Sequence, residues 1–477
     1  MQALNKIFDQ LPDRMYPNLK NNSHIFTPLT IAKEMIDVLP DDVWNSKSTF
    51  LDVCCKSGAL LYEIYAKLMD SEALMQEFPD TGDRRKHIVT NQIFGISPDQ
   101  ACQLLSTRAV YGCIVENSHI VYLENYTNVM TNSDTRFLIE TLKREFGTMK
   151  FDVVVGNPPY QESTGGRNSV PLYHKFMALG MRLADNNTWI TPSRWFSGGI
   201  GLDAFRHDML SSNRIGAVKN YRHAQKVFSG VDIGGGVCIT NICRHSDRIK
   251  FIDGETNESI YIDDSFVKEN WILMDRCEAY SIVNKTKTYK NLSSTVLPLN
   301  AFGIPANFSG QNTMDAHNNI EVIGSYNSIS YINKSELEKG IAIIDKYKVI
   351  TGKVNPDRGG VNNNSASNVI NKPKVLKPNQ VCTFSYMVVG VTHDEISANN
   401  IHKYIKTKFV RFLVLATLVS MNISAKNFRF VPMQDFTVNS DIDWSQSMGD
   451  IDKQLYKKYG LTTEEIAYIE KIIKPMD

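Results

Sequence analysis

The sequence predicts an α/β fold: a doubly wound, mainly parallel sheet in the first half of the chain, followed by a second domain of mixed α+β kind. Three observations carry this. Apolar strand-like runs alternate with helix-period stretches from about residue 24 to 245. Those runs exit into loops of small or rigid residues, at the sheet edge where ligands bind in such folds. The chain has 477 residues with 42% apolar content, more than one compact core needs.

Taken in order, Phe26-Thr27-Pro28 precedes a helical stretch, Ile31 to Leu39, with proline in the first turn. Thr49 to Cys54 reads as the first strand and Gly58 to Met69 as the helix after it. The loop between them, Leu51 to Gly58, offers small residues and a helix N-terminus, with Asp52, Cys54, Ser57 and Gly58 as its candidate ligand contacts. Ile93 to Ile96, Ile120 to Leu123 and Phe151 to Val155 are the next strands.

The last of these runs into Gly156-Asn157-Pro158-Pro159-Tyr160. Two adjacent prolines fix φ and remove backbone donors, so the turn is stiff and rich in acceptors. An exocyclic amine on an aromatic ring is a poor nucleophile because its lone pair is delocalised. The Asn157 side-chain oxygen and the Pro158 carbonyl can each accept one N–H of such an amine, while Tyr160 stacks on the ring. These roles suit adenine better than a hydroxyl or a carboxylate.

An Asn-Pro-Pro-Tyr turn after an apolar strand resembles the signature of S-adenosylmethionine-dependent amino-methyltransferases. With the motifs around it, the chain resembles the N6-adenine DNA methyltransferases of bacterial restriction-modification systems, in the gamma arrangement. Within them it is similar to the subfamily often fused to, or paired with, a restriction nuclease. The resemblance implies a Rossmann-like catalytic domain over residues 1–245, a connecting segment over 246–300, a target-recognition domain over 301–440 and a helical segment over 441–477.

For the site, the resemblance implies that Asn157, Pro158, Pro159 and Tyr160 are catalytic. It places the cofactor against Phe26, Thr27, Pro28, Asp52, Cys54, Ser57, Gly58, Ser97, Asn125 and Asn157. Lys56 stands where the family usually has glycine. Ser97, with Asp99 two residues on, stands where a carboxylate usually binds the ribose, and Glu124 or Asn125 where an Asp meets the cofactor's adenine. Leu172 to Phe176 resembles a motif near that adenine, and Trp189 to Phe196 one that shapes the target pocket. Phe228, in the glycine-containing stretch Lys226 to Val237, resembles the aromatic that packs on a flipped-out base opposite Tyr160.

Net charge is +1, so any nucleic-acid surface must be local. From Lys346 to Lys377 there are seven basic residues against one acid, Asp357. Lys353, Arg358, Lys372, Lys374 and Lys377 are the candidate DNA contacts there, and Lys403, Lys406, Lys408 and Arg411 form a second basic stretch. The eight cysteines lack a Cys-x-x-Cys pair and read as reduced residues, neither a disulfide frame nor a zinc site. No secretory signal is apparent, and the longest apolar run, Phe409 to Val419, is too short to span a bilayer.

The expectation is therefore base-flipping methylation of N6 of adenine in duplex DNA. It uses S-adenosylmethionine and no metal, in a bacterial, cytoplasmic, nucleoid-associated protein. A nuclease, if present, is expected on a separate chain, because no Pro-Asp followed by Glu-x-Lys occurs convincingly here. The alternatives are a DNA-recognition subunit without catalysis, and an enzyme methylating RNA adenine or a protein glutamine.

Overall fold

A computed structural model describes residues 25–113, 115, 118–132, 135–161, 170–231, 233–287, 290–317, 319–357 and 366–476. It divides into two compact units, residues 1–272 and 273–477.

The first unit is built on one nine-stranded sheet, β1 (Phe50–Asp52), β2 (Ile93–Ser97), β3 (Ile120–Tyr122), β4 (Val153–Gly156), β5 (Asn186–Pro192), β6 (Ile215–Tyr221), β7 (Val237–Ile242), β8 (Ile249–Asp253) and β9 (Ser259–Ile262). Its spatial order is β3-β2-β1-β4-β5-β7-β6-β8-β9. The first five strands run parallel with helical crossovers between them, and β7 enters antiparallel to both β5 and β6. The central strands are apolar throughout because both faces are covered: β1, β2 and β4 contain only buried residues. The order reverses at β1, between β2 and β4, which is the topological switch point where ligands bind.

The sheet also corrects a boundary. Residues 246–300, expected as a connection, are divided between the units: β8 and β9 extend the large sheet, with β8 parallel to β6. The chain from Leu273 onward, with the helix Cys277–Thr286, belongs to the second unit. The alternation in β8 and β9 is weak because they are the last two strands at one end of the sheet, where one or both faces are partly exposed.

Trp189 on β5 shows how tightly the catalytic edge is packed. A Cβ added at Gly156 would sit 2.7 Å from its ring, and one added at Gly180 would sit 2.3 Å from it. The fully buried indole therefore lies flush against two backbones.

The second unit contains two three-stranded sheets. One is β11-β10-β14, from β10 (Ile320–Ile323), β11 (Ile329–Ile332) and β14 (Gln380–Cys382); the other is β13-β12-β15, from β12 (Tyr347–Gly352), β13 (Lys374–Leu376) and β15 (Tyr386–Thr392). One apolar core joins residues of both, including Val322, Ile350, Val381 and Val388. The helices Met448–Lys458 and Thr463–Ile472 belong to this unit, so residues 441–477 are no separate segment. The latter helix opens with a capping box between Thr462 and Glu465. Around Ser367 the chain pairs with Ile473, and the buried Arg411 donates to the carbonyl oxygens of Lys406 (2.9 Å) and Lys474 (2.6 Å). Among the described residues, no helix is long and apolar enough to cross a membrane.

Candidate active site

Register brings the candidate residues to one edge. Asp52 at the end of β1 is level with Gly95 of β2 and Val155 of β4, so the loops after β1 and β4 emerge side by side. The loop after β1 hangs on both neighbours, with Val53 N donating to the Val155 carbonyl at 3.2 Å and Cys55 N to the Ile96 carbonyl at 2.8 Å. Gly58 closes it at φ +81°, and a Cβ there would lie 2.8 Å from the Ser106 backbone. No other residue suits that position.

Asp52 is buried and accepts a hydrogen bond from Cys54 N at 2.9 Å. Burial pushes its carboxyl up to about 7, against the opposing pull of the Cys54 N–H and the Lys56 ammonium. Lys56, also buried, donates to the Ile25 carbonyl at 3.0 Å.

Asn157 meets the same carbonyl. Its Nδ2 donates to Ile25 O at 3.0 Å and to Thr27 Oγ1 at 3.1 Å, joining the catalytic turn to the Phe26-Thr27-Pro28 segment. A backbone carbonyl can only accept, so the side-chain nitrogen must face it and the oxygen must face away. That oxygen, Oδ1, is buried with no hydrogen-bond partner among the described residues. The geometry thus holds one acceptor fixed, desolvated and unanswered.

Tyr160 packs partly buried against the core cluster that contains Phe228. Its hydroxyl is also buried without a partner among the described residues, and burial holds it well above the usual phenol range. Phe228 is only 3% exposed, so its ring is part of the core. The loop that carries it is held by the β8–β9 turn: Glu255 bonds His223 through both its backbone N–H (3.1 Å) and its Nδ1, and pairs with Arg222 at 3.3 Å. Burial opposes ionisation of Glu255, yet His223, Arg222 and Lys226 bring its carboxyl down to about 2.

Other expected residues stand differently. Ser97 is fully buried and donates to the Cys55 carbonyl at 2.8 Å, so it braces the β1 loop and is not turned toward a ribose. Asp99 caps the helix Gln100–Tyr111 through Cys102 N at 2.7 Å. Asn125 is exposed, in the left-handed conformation at the start of the helix Tyr126–Thr131, beside the equally exposed Glu124. Sequence reasoning passed over Tyr126, whose buried hydroxyl donates to the Val53 carbonyl at 2.6 Å and ties the β3 loop to the β1 loop. An aromatic shortly after the third strand's exit was its only signal.

In the second unit, Lys372 and Lys377 are exposed. Lys353 lies 3.2 Å above the Phe384 ring, and Lys374 bonds Asn327. Arg358 lies outside the described residues. Lys348, counted in the basic stretch, is fully buried, with its ammonium on the Ile344 carbonyl at 2.9 Å.

The residues from the end of the helix before β2 through Phe228 have a known counterpart: residues 91–228 match the model of the Eco57I restriction-modification methylase family. The first unit carries an Eco57I-type methylase domain. A Mycoplasma pneumoniae protein described as an uncharacterized adenine-specific methylase is 25% identical over 281 residues, which make up 46% of this chain and 66% of that one. The chain also superposes on a nuclease-deletion mutant of the Type ISP restriction-modification enzyme LlaGI, solved with a DNA substrate mimic. The TM-score is 0.50 at 10% identity, over 90% of this chain and 48% of that one, a likeness of fold. A type I restriction-modification methyltransferase subunit from Streptococcus thermophilus gives a TM-score of 0.37 at 15% identity, over 56% and 57%. The chain thus spans between about half and two thirds of the length of these relatives.

Proposed function

We propose that the protein transfers a methyl group from S-adenosylmethionine to N6 of adenine in duplex DNA, as the modification component of a restriction-modification system. The observation that supports this most is the buried, unpartnered Oδ1 of Asn157, held by the two hydrogen bonds from its Nδ2. Such an acceptor is matched by one N–H of an aromatic amine. By accepting it, Asn157 draws the nitrogen lone pair out of conjugation, and the neighbouring Pro158 carbonyl takes the second N–H. Tyr160 stacks on one face of the base. Phe228 covers the other once the loop beyond the Glu255 clamp moves outward to admit it.

The cofactor is assigned to the β1 loop and the segment that Asn157 holds: Phe26, Thr27, Pro28, Asp52, Cys54, Ser57 and Gly58, with Asn125 toward its adenine. The buried carboxyl of Asp52 suits a ligand that brings positive charge close to the backbone of this loop. When bound, it supplies a methyl group on a sulfonium, a leaving group that needs no acid. Lys353, Lys372, Lys374 and Lys377, with Arg358, are assigned to DNA phosphates. The protein is placed in the bacterial cytoplasm, with a nuclease as a separate partner.

The decisive experiment is transfer of labelled methyl from S-adenosylmethionine to unmethylated genomic DNA, with single-molecule sequencing of the product. Label in N6-methyladenine at one repeated motif is the expected result. Label in RNA or protein alone, or tight DNA binding without transfer, would refute the assignment.

Asp52 gives a pH test. Its folded pKa of about 7 lies above the unfolded value of about 3.9, so its ionisation opposes folding increasingly as pH rises between the two. A cationic ligand beside it reverses that preference. Cofactor affinity measured by calorimetry should therefore rise as pH increases toward about 7 and level off above it, by at most about tenfold per pH unit. Asp52→Asn should flatten the profile; an equally steep profile in that variant would remove Asp52 from the cofactor site.

A further inference from the structure

The hairpin of β10 and β11 turns through Ser325-Tyr326-Asn327-Ser328, closed by Ser328 N donating to the Ser325 carbonyl at 3.1 Å. Both central residues are left-handed, Tyr326 at φ +54° and Asn327 at φ +64°. Asparagine tolerates this conformation; tyrosine rarely adopts it. Packing does not compensate, because the Tyr326 side chain is fully exposed. The fold holds a strained residue and takes no contact from its ring in return, a combination that points outside the molecule.

The turn is also stiffened from beneath. Asn327 Oδ1 accepts from Lys374 and from the Tyr386 hydroxyl (3.3 Å). Ser325 Oγ meets Ser385 Oγ at 2.6 Å, and Ser385 O accepts from Lys353 N at 3.2 Å. The turn that carries the projecting aromatic therefore rests on two lysine-bearing segments, with Lys374 bonded to Asn327 beside Tyr326 and Lys353 set over the Phe384 ring. An exposed aromatic on a rigid turn with lysines at its base matches the stacked bases and phosphates of a nucleic acid better than it matches a hydrocarbon surface.

We propose that Tyr326 is a DNA-contacting residue: the β10–β11 turn enters a groove of the duplex and sets the Tyr326 ring against a base step, while Lys353 and Lys374 meet the flanking phosphates. This rests on the reading of the chain as a DNA methyltransferase and adds to it a residue that no basic stretch contains. The strain serves to hold the ring outward, so that little conformational freedom is lost on contact.

The test uses the full chain with sheared unmethylated genomic DNA, reading methyl transfer at limiting DNA and retention of DNA on a filter. Thermal melting and cofactor calorimetry accompany both. Tyr326→Asn removes the ring and suits the backbone. It should weaken DNA binding and raise the KM for DNA by about tenfold or more, with Tm equal to or above wild type and cofactor affinity unchanged. Tyr326→Phe keeps the ring and should stay near wild type. If wild type labels DNA and Tyr326→Asn has the same KM and retention, the inference fails while the methyltransferase reading stands. If Tyr326→Phe loses as much as Tyr326→Asn, stacking is wrong. If wild type neither labels nor retains DNA, both readings fall.

Discussion

Replacing Asn157 with alanine should lower kcat for methyl transfer by about a hundred- to a thousandfold, the scale associated with removing a preorganised hydrogen-bonding group from a reacting centre. The effect is large because Oδ1 is desolvated and already oriented. Water cannot stand in for it, and no reorientation is needed when the amine arrives. Thr27→Val provides the contrast: it removes one of the two acceptors that hold Nδ2, the 3.1 Å contact, and leaves the Ile25 carbonyl to orient the side chain. Its loss should be modest. Filter retention of DNA should change little in Asn157→Ala, separating chemistry from binding. Turnover within tenfold of wild type in that variant would remove Asn157 from the mechanism.

Trp189→Ala should destabilise the first unit by about 3–5 kcal/mol, the range for a buried aromatic. Cavities shrink when neighbours can relax into them. Here two of the walls are the backbones at Gly156 and Gly180, which bear no side chains to fill the space. Thermal melting should show a drop on the order of 10 °C. A loss below about 1 kcal/mol would show that the site collapses more easily than its walls suggest. Gly156 directly precedes Asn157, so the same substitution should also loosen the catalytic turn and lower transfer in protein that remains folded.

Much of the first unit was legible because burial on both faces writes itself into the sequence as unbroken apolar runs, and β1, β2 and β4 fall where those runs lie. Edge strands carry no such mark. The partial, irregular exposure of β8 and β9 left residues 246–262 without a pattern, although they complete the sheet. At the site, sequence placed Asn157, Thr27 and Asp52 at one edge, but it could not show that Ile25, through a backbone carbonyl, receives both Asn157 and Lys56. A carbonyl has no letter of its own. Ser97 illustrates the same limit, since a hydroxyl reads identically whether it faces a ligand or the Cys55 carbonyl. Counting charges misled for a related reason: Lys348 and Arg411 contribute to the basic stretches yet have their cations buried on backbone oxygens.

The carbonyl of Lys474 that receives Arg411, and the pairing of Ile473 with Ser367, also impose an order in time. The first unit has all its strands once residue 262 has been synthesised and can fold as the chain emerges. The second unit keeps a buried guanidinium short of one of its acceptors until the chain has been made as far as Lys474. During translation, a finished methylase domain precedes an unfinished neighbour.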